Sequence, residues 1–233
     1  MRVHPGWSRA GEQADLADGD EFGQSLARGG LGSGRREMIL GMASIYLVRH
    51  GESEWNVARR TQGQSHHPRL TERGRAQARA AAQVIADDCT RIELVVSSDL
   101  VRAVETAQLI ADRFAAPVRL DPRLREQSLG KFEGMSYEES FAAGSALDWS
   151  DPDLPIGGGE SMRQLSARMS AALAALSGPV VVVSHGDAIR SVLAGRHGHQ
   201  PGSPFWVEVP NGSVVVLNSE PAPGDEPRWL SLR

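Results

Sequence analysis

Lysine is almost missing from this chain of 233 residues: of 25 basic residues, Lys131 is the single lysine and the rest are arginines. Set among many alanines and glycines, that skew reads as a bias of genome composition. There is also one cysteine, Cys89, so no internal disulfide can form. This fits a reducing compartment, and a cytoplasmic location is the expectation. Aromatic residues are only 5% of the sequence, and no apolar run approaches the roughly 18 residues that a membrane-crossing helix requires. Basic charge is in deficit, 25 against 29 acidic residues for a net of −4. Neither nucleic acid nor an anionic membrane is an expected partner, because both are bound through an excess of Lys and Arg on one face.

The first stretch, residues 1–43, has little hydrophobic pattern. Leu16, Phe22 and Leu26 never repeat at a helical or strand period. A mobile, disordered N-terminal extension is expected there; a start codon placed too far upstream, with Met38 or Met42 as the real beginning, would leave the same signature. The remainder, 44–233, is expected to form one domain.

Three short apolar runs stand out: Ser44-Ile45-Tyr46-Leu47-Val48, Leu94-Val95-Val96 and Val180-Val181-Val182-Val183. Apolar on successive residues, they suit strands buried on both faces of a sheet. Helical periodicity lies between them: from Thr71, a candidate N-cap, to about Asp87; from Val101 to Phe114; from Met162 to Leu176; and from Asp187 to Gly195. On the first of these, Ala76, Ala80, Val84 and Ala81, Ile85 mark the apolar faces. Strands alternating with helices predict a three-layer α/β/α sandwich with a mostly parallel central sheet. Val207-Glu208-Val209 and Val214-Val215-Val216-Leu217 read as closing strands around Pro210-Asn211-Gly212-Ser213.

Each buried run stops at polar residues: Arg49-His50-Gly51-Glu52, Ser97-Ser98-Asp99 and Ser184-His185-Gly186-Asp187. Ligands of such sheets bind beyond the carboxyl ends of the strands, so the coincidence places the site. Two His-Gly pairs among arginines make a cationic, donor-rich pocket suited to phosphate. In this reading Gly51 lets the backbone pass close to the ligand. Arg102 falls in the first turn of its helix, where the macrodipole disfavours a cation unless an anion is bound beside it.

These blocks, in order, resemble the histidine phosphatase superfamily, the group that includes the cofactor-dependent phosphoglycerate mutases. Arg49-His50-Gly51-Glu52 with Trp55-Asn56 is similar to its opening signature, and the stretches from Leu70 to Ala78 and from Ser97 to Ala107 resemble the next two. Leu124-Arg125-Glu126 with Gly130-Lys131-Phe132-Glu133-Gly134 resembles its acid block, with Phe132 where tryptophan is commoner. Val183-Ser184-His185-Gly186 and Asn211-Gly212-Ser213 complete the series. The resemblance spans about residue 44 to about 220.

It implies a phosphoglycerate mutase-like fold and a phosphomonoesterase acting on a small phosphorylated metabolite. His50 would be the nucleophile, Arg49, Arg102 and His185 would hold the phosphoryl oxygens, and Glu126 would serve as acid and then base. Asn56, Gln62, Gly63 and Gly186 would bind substrate, with Glu52 in support. No cofactor and no metal are expected: His66-His67 and His197-Gly198-His199 lack further ligands. The loop Ser65-His66-His67-Pro68-Arg69 departs from the family pattern. His67 and Arg69 either bias the site toward a more anionic substrate or form a solvated loop. A phosphoglycerate mutase is the alternative activity and a non-catalytic phospho-ligand-binding module a remoter one. About 25 residues separate Gly134 from Gly159, short for a mutase, which favours hydrolysis. A homodimer is left open.

Overall fold

A computed structural model describes residues 44–218 and 226–232; the expected N-terminal extension, 1–43, lies outside the described residues. Among them are six strands and six helices: β1 (Ser44–Arg49), α1 (Glu54–Val57), α2 (Glu72–Asp88), β2 (Leu94–Ser97), α3 (Val101–Phe114), β3 (Val118–Leu120), α4 (Tyr137–Gly144), α5 (Met162–Ala174), β4 (Val180–Ser184), α6 (Gly186–Arg196), β5 (Val214–Asn218) and β6 (Arg228–Leu230). They form one sheet in the order β3-β2-β4-β1-β5-β6. Parallel pairing joins β3, β2, β4 and β1, while β5 runs antiparallel to β1.

Side-chain alternation along the central strands feeds two cores. Ile45, Leu47 and Val182 face α5 and α6, packing on Leu165, Met169, Ile189 and Leu193. Tyr46, Val48, Val181 and Val183 face α2 and α3, packing on Ala81, Ile85, Ala107 and Ile110. This is the three-layer α/β/α sandwich with a mostly parallel sheet. A small third cluster, Leu129, Phe132 and Ile156, supports the segment that carries α4. No described helix is long and apolar enough to cross a membrane.

The helix starts follow from local chemistry. Thr71 caps α2 by accepting the Gly74 N–H at 3.0 Å, and Ser161 caps α5 through a reciprocal box with Gln164. On α2 the buried stripe is Gly74, Ala78, Ala81, Ala82 and Ile85, which includes the expected Ala81 and Ile85; of the other expected face Ala76 is exposed, Ala80 half-buried, and Val84 half-buried against the core. Two other expectations need correction. Val207–Val209 is not a strand, because its carbonyls are committed elsewhere: Val207 O accepts from Arg190 Nε and Val209 O from Arg49 Nη1. And Gly51 owes its place to another backbone: a Cβ there would lie 2.2 Å from the carbonyl oxygen of Gly74.

Candidate active site

Parallel strands deliver the site. Just beyond β1, β4 and β2 the chain leaves the sheet at His50, His185 and Ser98, and the ladder continues one step further through His50 N–H to Ser184 O at 3.0 Å and Ser98 N–H to Val183 O at 3.0 Å. The main chain of His50 is pinned again on its carbonyl, by Gly212 N–H at 3.2 Å and Asn211 Nδ2 at 3.1 Å. Its ring is oriented as tightly. Nδ1 lies 2.7 Å from Gly51 O, so it must carry the hydrogen and donate, which leaves the lone pair on Nε2. The His185 ring stands 5.1 Å from that of His50, centroid to centroid.

Ser98 sets the second imidazole. Its Oγ accepts the Leu100 N–H at 3.3 Å and lies 2.8 Å from His185 Nε2; when the hydroxyl donates to Nε2, Nδ1 is the nitrogen that carries hydrogen. That Nδ1 is buried without a partner. So are Arg49 Nε and Arg102 Nε. Arg102 is 1% exposed and spends its fork on two main-chain carbonyls, Gly63 and Ser65, both at 2.8 Å. Burial, with repulsion from Arg49, pushes its pKa down to about 10.

Burial likewise holds His50 well below the usual imidazole range, with the Arg102 and Arg49 charges adding to the effect. His185 is lowered in the same way. Glu126 moves oppositely. Burial raises its pKa, and the nearby Asp187 charge raises it further, against the pull of backbone N–H groups. Those are Gln127 and Ala188 on Oε1, both at 3.0 Å, and Asp187 on Oε2 at 3.2 Å. The carboxyl thus sits at the N-terminus of α6.

A cleft of about 1000 Å³ gathers these groups; Arg49, His50, Asn56, Gln62, Gly63, Arg102, Glu126 and Gly186 all line it. His185 lies behind its wall, fully buried. Eight of the nine expected site residues thus line the cleft, and the ninth, His185, stands 5.1 Å from the His50 ring without lining it. Asn56 turns its amide oxygen to Ser53 and Asn211, which frees its NH₂ for the cleft, and Gln62 accepts from Ser53 Oγ at 2.9 Å. Glu52 is held by Thr71 and Arg73. His67 and Arg69 do not line the cleft, and Arg69 pairs with Glu105 in solvent, the solvated-loop reading. Among the described residues no three His, Cys, Asp or Glu side chains could hold a metal ion.

Sequence reasoning missed the outer cleft. Arg59, Arg60, Arg73, Arg190, Tyr137, Phe141 and Trp206 form its walls, with Arg190 lying 4.0 Å over the Trp206 ring. Arg59 and Arg60 adjoin the opening block, a signal within reach; Trp206 immediately precedes the Val207–Val209 stretch read as strand.

The family model of the histidine phosphatase superfamily, branch 1, matches residues 45–229. The chain belongs to this superfamily. This histidine phosphatase is 44% identical over 199 residues to a probable phosphoglycerate mutase GpmB of Photorhabdus laumondii, covering 81% of this chain and 91% of that one. A counterpart of the same name from Erwinia tasmaniensis is 37% identical with the same coverage. Among solved structures, it is similar to a mycobacterial glucosyl-3-phosphoglycerate phosphatase complexed with VO3, with 34% identity, a TM-score of 0.67, and coverage of 80% and 96%. It is an enzyme of the histidine phosphatase type, and its family acts on small phosphorylated substrates.

Proposed function

We propose that this enzyme hydrolyses a phosphate monoester of a small metabolite through a phosphohistidine on His50. One observation carries the reading: three buried nitrogens, Arg49 Nε, Arg102 Nε and His185 Nδ1, lack partners beside an imidazole whose Nδ1 is tied to Gly51 O. Unpaired buried donors are costly, and a tetrahedral oxyanion against His50 gives all three an acceptor. His50 Nε2 then attacks phosphorus as the ester P–O bond breaks. Glu126, whose pKa burial raises, passes its proton to the leaving oxygen. Arg49, Arg102 and His185 take up the charge that spreads over the phosphoryl oxygens. As carboxylate, Glu126 next removes a proton from water, which attacks phosphorus, breaks the P–N bond and returns His50 neutral.

Asn56, Gln62, Gly63 and Gly186 line the remaining approach and contact the ester. The cleft is far larger than a phosphate, and arginines with Tyr137, Phe141 and Trp206 line its outer part. This favours a leaving group that is itself anionic or sugar-like. Phosphoglycerate derivatives are the first candidates, by analogy with the relatives' names. Those names also support a second reading, a phosphoglycerate mutase, in which the phosphoryl group is handed back. The composition favours the cytoplasm as its place of work.

The test is a panel of phosphorylated metabolites assayed at once for phosphate release and for phosphoglycerate isomerisation, with acid-labile label on His50 sought after brief exposure to substrate. Release with labelling is expected. Isomerisation without release transfers the assignment to the mutase, and turnover by His50→Ala ends the phosphohistidine mechanism.

A further inference from the structure

The segment bearing Glu126 belongs to no strand or α-helix; it runs from a 3₁₀ turn at Pro122–Leu124 to another at Gly130–Phe132. Its main chain needs an external hold, and one guanidinium supplies three of the bonds, beside Gln64 Nε2 to Glu126 O at 3.1 Å and Ser184 Oγ to Leu124 O at 2.8 Å. Arg168, in α5, donates from Nη1 to the carbonyls of Arg123 at 2.7 Å and Arg125 at 2.6 Å, and from Nη2 to that of Glu126 at 2.8 Å. The same group grips Glu160 through Nε at 2.6 Å and Nη2 at 2.8 Å. Glu160 secures the downstream side. Its N–H donates to Ser128 O at 2.8 Å, its carboxylate accepts Ser128 N–H at 3.3 Å, and its carbonyl accepts Gln127 Nε2 at 2.9 Å. Neither Arg168 nor Glu160 lines the cleft.

The two halves of Glu126 are thus held by different elements. Its backbone carbonyl is held by Arg168 of α5 together with Gln64 Nε2, and its carboxyl rests on the first N–H groups of α6. We infer that the Arg168–Glu160 pair is a positioning device that sets where the Glu126 carboxyl meets the leaving oxygen. The inference rests on Glu126 being the acid proposed above. Five hydrogen bonds converge on the planar fork, and lysine, with one nitrogen, cannot reproduce them. A displaced acid matters only where the leaving group needs a proton, so the signature is selective. Misplacing a catalytic group by about 1 Å costs on the order of 100-fold.

The experiment compares kcat/KM for para-nitrophenyl phosphate, whose leaving group departs unprotonated, with that for glycerol phosphate, an alkyl ester. This parameter covers the steps up to departure of the leaving group, before water attacks. Arg168→Lys is expected to lower the alkyl value by about 10–100-fold and to leave the aryl value within about threefold. Glu160→Gln, which keeps the side-chain shape, should act in the same direction and serves if the lysine variant does not fold. In a Glu126→Gln background, adding Arg168→Lys should change the ratio no further. Equal losses on both esters, or a loss that persists on top of Glu126→Gln, would make the pair merely structural and overturn the inference. If Glu126→Gln alone lowers both esters equally, the acid assignment falls, and the positioning role with it.

Discussion

Lowering the pH from about 7.5 to about 5.5 should destabilise the folded protein through its two pocket imidazoles. His50 is 2% exposed and His185 is fully buried, and both are held neutral by burial with the charges of Arg102 and Arg49 adding to it. In the unfolded chain each would take up a proton near pH 6.5. Below that point the unfolded state binds more protons than the folded one, so the free energy of unfolding drops as pH falls. The stability is intact above about 6.5 and is lost below it. Each group contributes a slope of about 1.4 kcal/mol per pH unit, or roughly 3 kcal/mol for the pair by pH 5.5. That is a large share of the roughly 5–15 kcal/mol that holds a domain together.

Glu126 works in the opposite sense. Its pKa is raised, by burial first and by Asp187 second, so the folded state takes its proton before the unfolded state does and falling pH relieves part of its burial cost. Urea unfolding of Glu126→Gln therefore reads the histidines alone. Between about pH 7.5 and 5.5 its stability should drop by roughly 3 kcal/mol, and by about half as much once His185→Gln is added. A flat profile, or a slope indifferent to His185, would refute the account of the pocket as two neutral, enclosed imidazoles.

Arg102→Lys keeps a cation but cannot bridge the Gly63 and Ser65 carbonyls, so kcat/KM should fall by about 10²–10³, and a loss below tenfold in steady-state assays would contradict its place in the charge-bearing set. Gly51→Ala drives a methyl against the Gly74 carbonyl and should cost about 1–3 kcal/mol in thermal unfolding; no loss would mean that α2 retreats freely. Orthophosphate at 100 times its Kd should stabilise the fold by about 2.7 kcal/mol, less so in Arg102→Lys, as followed by thermal shift. Chelators should leave the rate unchanged, and a loss restored by a divalent metal would falsify the metal-free mechanism.

The parts of the fold that could be read in advance are those where one local signal dominates. α3 begins and ends where its periodicity does, at Val101 and Phe114, and β1, β2 and β4 each sit on an uninterrupted apolar run. β3 and β6 are three-residue edge strands with little buried surface, and nothing in Val118–Leu120 or Arg228–Leu230 distinguishes them from a loop. Val207–Val209 misled because alternation says nothing about where carbonyls go, and two guanidiniums had claimed them. Arg49, His50 and His185 were legible because they end buried strands, and Arg102 because it opens a helix, whereas Glu126 lies in neither and was placed by the resemblance alone. Arg168 was not, because its partners on the acid loop are main-chain oxygens, which leave no mark in the order of side chains.

β4 has four valines in succession at the middle of the sheet, between β1 and β2. Along Val180–Val183 every position offers the same side chain, so a shift by one residue would present neighbouring strands with an identical apolar surface. Side-chain identity cannot tell the correct alignment from its neighbour. What distinguishes them is the polar terminus: Ser184 O takes the His50 N–H, and Ser184 Oγ donates to Leu124 O at 2.8 Å. The chain end that brings two imidazoles together is therefore also the ratchet that stops a featureless strand from slipping. Extending the valine run through position 184 would remove the tooth, giving a sheet that still forms but no longer knows where to stop.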